Sequence, residues 1–319
     1  MSKVLFFTWP GDGNQPPAIG LAQQLRRDGH DTLFAGYPDQ ASRFGSLEFD
    51  FVTLTRSGAS GEPFDPSDLM GWLVRHVWAC SDHVADAAEI VDRYQPDLII
   101  VDCLMGGVLA AVQTKAVPAA ALVHSAPGAL APPGGPLDAM VIGELNRIRS
   151  DLDLPPVDSF WQAWQRHGVL NASIPELDPI GTAAFDPSTW IGPVFEDFTP
   201  SEAIVDDDDK PLVLVSFSSG VAWDQTSRIQ RTIDGLAHAD VRVIVTAGAT
   251  DPKLLHVPTT SIAVVPYVPH GTILPRASAV VTHAGHGTLT AALAHGLPES
   301  VKSTETVAVS SSGVRSAAG

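Results

Sequence analysis

Basic residues are scarce in this chain. Nineteen lysines and arginines stand against 36 aspartates and glutamates in 319 residues, a formal net charge of −17. A surface that acidic repels the phosphates of nucleic acids and of anionic membranes, which argues against both as partners. An anionic ligand must then be held by local dipoles and hydrogen-bond donors, not by a basic field. Cysteine is nearly absent. Cys80 and Cys103 are too few for a disulfide framework, and a reducing cytoplasm fits. Long apolar runs are missing as well. The most apolar stretch, Leu98 to Ala131, is broken by Asp102, Lys115 and Pro118, so no segment is expected to span a bilayer. Val4 to Phe7, followed at once by Pro10-Gly11-Asp12, is far too short for the apolar part of a signal peptide. The absence of a Gly-x4-Gly-Lys-Ser/Thr loop excludes a P-loop nucleotidase.

Apolar residues make up 45% of the chain, enough for two domains with real cores. Strand and helix patterns alternate throughout, which predicts α/β architecture with doubly wound parallel sheets. In the first half the strands are expected at Val4 to Thr8, Thr32 to Ala35, Phe49 to Leu54, Leu98 to Val101 and Ala119 to Val123. A long helix is expected from near Ser67, carrying Leu69, Leu73, Val77, Cys80 and Val84. Helices are expected at Leu137 to Arg149 and Phe160 to Arg166, with Trp161 and Trp164 read as core. Residues 1–192 form the first domain on this reading. Residues 193–210, with Pro193, Pro200 and the run Asp206 to Asp209, read as an acidic linker. A second series follows over 211–298, with strands at Val213 to Phe217, Val241 to Val245, Ile262 to Val265 and Val280 to Thr282.

The most informative stretch is Ala279 to Pro298, AVVTHAGHGTLTAALAHGLP. A short apolar strand ends at Thr282 and His283. A turn of small residues, Ala284-Gly285-His286-Gly287, leads into a helix opened by Thr288. Free N–H groups and the positive end of the helix dipole make such a turn a natural phosphate site. His283 and the Thr288 hydroxyl add donors. A zinc site among His270, His283, His286 and His295 is disfavoured, because no third ligand falls at helix spacing.

His283-Ala-Gly-His-Gly-Thr288, followed by Ala-Leu-x-x-Gly-x-Pro, resembles the signature of nucleotide-sugar glycosyltransferases of the macrolide and UDP-glycosyltransferase type. The resemblance implies two facing Rossmann-like domains (the GT-B fold), with the diphosphate of a UDP- or dTDP-sugar gripped by His283, Gly285, His286, Gly287 and Thr288. It also implies a small-molecule acceptor such as a natural product, and no metal or other cofactor. Ser218 and Ser219 match a hydroxyl pair near the phosphates, and Val268, within Pro266-Tyr-Val-Pro-His270, matches the stretch that passes the nucleobase.

Two departures from the family pattern stand out. After the first strand the family has Gly-His-x-x-Pro, its histidine deprotonating the acceptor; here Asn14 takes that place, and a carboxamide accepts no proton near neutral pH. Asp12, two residues earlier, and Asp102, matching the aspartate that orients the missing histidine, are the alternative candidates. A histidine restored at Asn14 is expected to raise transfer. Beyond Pro298 the family continues with an apolar strand and a sugar-binding Asp-Gln or Glu-Gln pair. Here 299–319 is a Ser-, Thr-, Val- and Ala-rich tail, expected to be disordered. The expectation is a truncated or frame-shifted chain whose second domain is incomplete, leaving Val280 to Thr282 at an open sheet edge and weakening transfer. The alternative reading is a non-catalytic nucleotide-sugar-binding or helper protein.

Overall fold

The computed structural model describes residues 1–11, 13–59, 68–197, 209–217 and 225–301. The chain divides into two compact units, Met1–Glu196 and Asp197–Gly319.

The first unit is built on a six-stranded parallel sheet. Its strands are β1 (Lys3–Phe7), β2 (Asp31–Gly36), β3 (Asp50–Thr53), β4 (Leu98–Asp102), β5 (Ala119–Val123) and β6 (Gly168–Asn171), in the order β3-β2-β1-β4-β5-β6. Both faces are covered, so the strands read as continuous apolar runs. Leu5, Phe7, Ile99, Val101, Ala121 and Val123 enter one core layer, while Val4, Phe6, Ile100 and Leu122 enter the other. The alternation is the period of two that a strand imposes. Each of these side chains larger than alanine contributes about 1.5 to 3 kcal/mol on burial. Trp161 and Trp164 are buried in the first of these layers, as their apolar spacing implies.

Three sequence expectations differ from the structure here. The long helix expected from Ser67 is interrupted. A helical turn at Leu69–Leu73 passes into a wider π turn at Val74–Trp78, and a new helix runs over Asp82–Tyr94. The break lets another helix, Gly106–Gln113, approach closely: a β-carbon on Gly107 would lie 2.2 Å from the Cys80 carbonyl oxygen. Strand β6 went unpredicted because Gly168–Asn171 is only four residues long and carries little β-branched character. The first unit also extends past residue 192, since the Glu196 carboxylate accepts a 2.7 Å charge-assisted bond from Arg43.

The second unit holds β7 (Leu212–Ser216), β8 (Arg242–Thr246), β9 (Ile262–Val265), β10 (Ala279–Thr282) and β11 (Glu299–Val301), all parallel, in the order β11-β10-β7-β8-β9. In both units, therefore, the first strand lies between the second and the fourth, and the order reverses beside it. β11 corrects the expectation that β10 is an open edge and that the domain stops at Pro298. Val280, Val281 and Thr282 stand opposite Glu299, Ser300 and Val301. The sequence reading missed this strand because Glu299 and Ser300 are poor strand formers in isolation.

Candidate active site

In open parallel sheets ligands gather outside the carboxyl ends of the strands, at the point where strand order reverses. In the second unit that point lies between β7 and β10. Residue His283 follows β10 directly. Ala284 then takes a left-handed conformation, φ 64°, unfavourable for a residue with a β-carbon. Gly285 caps the helix His286–Ala294, whose first-turn N–H groups on Gly287 and Thr288 have no partner within the helix by construction. The turn thus aims dipole and donors outward. The His283 Nδ1 is buried with no hydrogen-bond partner among the described residues. Burial, and after it the positive charge of Arg228, push the His283 pKa below its ordinary value, so the imidazole is neutral at pH 7. Arg228 stands in the first turn of the helix Thr226–Leu236 and was missed by the sequence reading. It supplies a cation in a chain that has few.

The other predicted donor residues fare differently. Ser218 and Ser219 lie outside the described residues. Val268 is buried in a core cluster with Leu212, Leu214 and Val280, so its side chain packs inward and its backbone alone is available to a base.

In the first unit the reversal point lies between β1 and β4. Asp12 is outside the described residues. Asn14 is 3% exposed; its Nδ2 donates to the Trp9 carbonyl at 3.1 Å, and its Oδ1 is buried without a partner among the described residues. This side chain braces the loop after β1 from within. Asp102, at the end of β4, is buried and engaged on both oxygens. Its Oδ1 accepts from Trp9 Nε1 at 3.0 Å and from the Leu104 backbone N–H at 3.0 Å, while its Oδ2 faces His124 Nδ1 at 3.0 Å. The expectation that Asp102 meets the acceptor directly gives way to a positioning geometry.

His124 is the residue that sequence reasoning passed over. It follows β5 as His283 follows β10, an apolar strand running straight into a histidine, and that shared pattern was the available signal. Its side chain is 10% exposed, and the Cys103 sulfur lies 3.6 Å from Nδ1. Burial disfavours its charged form, but the Asp102 carboxylate outweighs this and holds the His124 pKa well above the ordinary value. Asp102, Cys103 and His124 bring ligand-type atoms within 4.8 Å of one another. The Cys103 thiol is pushed up by burial, and the carboxylate is already occupied by N–H donors, so the cluster is a hydrogen-bonded one.

Two doubly wound parallel-sheet units, each with its first strand between the second and the fourth, have the architecture of GT-B glycosyltransferases. Comparison with known proteins agrees. Residues 230–312 match the family described as erythromycin biosynthesis protein CIII-like, C-terminal domain. The chain is 24% identical to 4'-demethylrebeccamycin synthase of Lentzea aerocolonigenes, over 93% of this chain and 81% of that one. It is 25% identical to aclacinomycin-T 2-deoxy-L-fucose transferase of Streptomyces galilaeus, over 93% of this chain and 78% of the relative. The solved glycosyltransferase of kitacinnamycin superposes with a TM-score of 0.75 at 18% identity, covering 96% of this chain and 81% of that one. Over most of its length the chain is similar to glycosyltransferases of antibiotic biosynthesis, and its second unit carries the match to the erythromycin CIII-like family.

Proposed function

We propose that this protein transfers a sugar from a UDP- or dTDP-sugar to a hydroxyl of a small natural-product acceptor, without a metal. The observation that carries the reading is the β10 turn: a neutral histidine, a left-handed residue and a glycine-capped helix N-terminus at the switch point of the second sheet. The second unit holds the donor diphosphate through backbone N–H groups, His283 and Arg228. Charge developing on the departing phosphate meets donors already in place, which is the most effective form of transition-state stabilisation. The first unit supplies the acceptor side. Its two cysteines are buried free thiols, consistent with action in a reducing cytoplasm. Among the described residues no helix is long and apolar enough to cross a membrane. By their names the relatives make 4'-demethylrebeccamycin and transfer 2-deoxy-L-fucose to aclacinomycin-T, which supports a natural-product acceptor.

The test is a thermal-shift panel of UDP- and dTDP-sugars, followed by turnover with a panel of hydroxylated natural products in the presence of a chelator. A shift with one nucleotide series and chelator-resistant product formation support the reading. Donor binding with no turnover of any acceptor leaves the helper-protein alternative. A chelator-sensitive reaction removes the metal-free part.

A further inference from the structure

A transferase with an asparagine where its family has the acceptor-activating histidine needs another base. Asn14 is not that base. It is buried, tied to the Trp9 carbonyl, and has no proton-accepting nitrogen. Asp102 is committed on both oxygens. His124 has the opposite character. Its Nδ1 is fixed by Asp102, while its Nε2 has no hydrogen-bond partner among the described residues and is not sealed from solvent. It sits at the carboxyl end of β5, next to β4 at the reversal point of the sheet. A carboxylate on one imidazole nitrogen sets the tautomer and leaves the other nitrogen as the proton acceptor.

We propose that His124 is the general base for the acceptor hydroxyl, with Asp102 as its positioning residue. The inference rests on the glycosyltransferase reading. In the step, the acceptor O–H proton passes to His124 Nε2 as the acceptor oxygen forms a bond to the anomeric carbon of the donor. The bond from that carbon to the β-phosphate oxygen breaks, and its electron pair leaves with the nucleoside diphosphate. The imidazolium then returns its proton to solvent. Trp9, through its indole N–H on Asp102, holds the carboxylate against rotation. Among the described residues, the titratable groups facing His124 are Asp102 on β4 and the neighbouring Cys103 thiol, which burial keeps neutral.

Because the base must be neutral to act, transfer should rise with pH along an acid limb centred above about 6.5, the ordinary histidine value. Removing the carboxylate charge moves that limb toward lower pH. The experiment uses the full chain with the donor and acceptor found to turn over, and compares the parent with His124→Ala, His124→Gln and Asp102→Asn. Expected are a fall in kcat of about 10²- to 10⁴-fold for both His124 variants, nucleoside-diphosphate affinity within twofold of the parent, and an acid limb shifted down in Asp102→Asn. Circular dichroism checks that each variant is folded, and His124→Gln, nearer in size, stands in if the alanine variant is not. Transfer at the parent rate by a folded His124 variant overturns the proposal, as does an unmoved acid limb in Asp102→Asn. A parent that binds donor but transfers to nothing sinks the transferase reading itself, and the assignment of His124 goes with it.

Discussion

The imidazole of His283 lies over Gly285 so closely that a β-carbon there would come within 2.8 Å of Cε1 and 2.9 Å of Nε2. The glycine's own backbone, at φ −57° and ψ 132°, is open to any residue. Room for the histidine ring, not backbone freedom, is what requires glycine at this position. Gly285→Ala should displace the ring and weaken nucleoside-diphosphate binding about tenfold, the equivalent of one hydrogen bond. Calorimetry reads this directly, and an unchanged dissociation constant would mean the ring is not aimed at the ligand.

Gly287 offers the complementary case. Nothing lies within 4 Å of the β-carbon it lacks, and it sits in the first turn of the helix. In the unliganded protein Gly287→Ala should therefore be neutral or stabilising by up to about 1 kcal/mol. If a phosphate approaches the backbone here, the same substitution should cut donor affinity. Opposite signs in thermal melting and in donor binding are the expected pair. A gain in both would place the phosphate elsewhere.

On the proposed reading His283 meets the donor as a neutral imidazole, because burial and then Arg228 hold its pKa down. Its contribution should be flat from about pH 7 to 8, where an ordinary imidazole of pKa about 6.5 is already mostly neutral and a lowered one more so. His283→Ala should cost about 1 to 3 kcal/mol of donor affinity. An intact nucleotide sugar is the ligand to use, since its phosphates do not titrate in that range. Affinity that falls steeply across it would show that a protonated His283 is needed.

The turn after β10 was legible in the sequence because its geometry is local. Strand, turn, cap and helix follow one another within Ala279–Ala294, and each residue's place is set by its neighbours in the chain. The Asp102–His124 pair was not. Asp102 and His124 are 22 positions apart and meet only because β4 and β5 pair in parallel, with Asp102 opposite Leu122. Family pattern directed attention to Asn14, and only packing shows it turned inward. Likewise β11 is three residues long, and its pairing with β10 depends on a return of the chain that composition does not reveal.

Glu299, the first residue of β11, predicts a pH dependence. Burial of its carboxyl, whose Oε1 has no partner among the described residues, raises its pKa from 4.5 to about 7. An acid whose folded pKa is raised is favoured in its protonated form by the fold. The unfolded carboxyl ionises first as pH rises past about 4.5, so the contribution is complete below that value and is lost by about pH 7. Glu299→Gln should therefore protect the β10 amides more strongly at pH 7, by about 1 kcal/mol once solvent screening of the partly exposed carboxyl is allowed for. The advantage should vanish near pH 4.5. Hydrogen exchange at the two pH values measures it, and equal protection at pH 7 would show that the charge is already well solvated.

Restoring the family's histidine at Asn14 is the substitution the sequence alone recommends, and the structure argues against it. The Asn14 side chain fills the space a β-carbon on Gly11 would need, its Oδ1 standing 2.3 Å from that position, and its Nδ2 holds the Trp9 carbonyl. Trp9 in turn donates to Asp102. An imidazole is larger than a carboxamide, and overfilling a closed site of this kind costs about 1 to 3 kcal/mol. The loop carrying Trp9 would have to move to admit it, loosening the donor that steadies Asp102 opposite His124. Asn14→His should therefore lower the melting temperature and leave transfer unchanged or reduced. If instead kcat rises, and the rise survives His124→Ala in the same chain, the loop has room that the folded arrangement does not show, and the family's pattern of base and aspartate can be built at the end of β1.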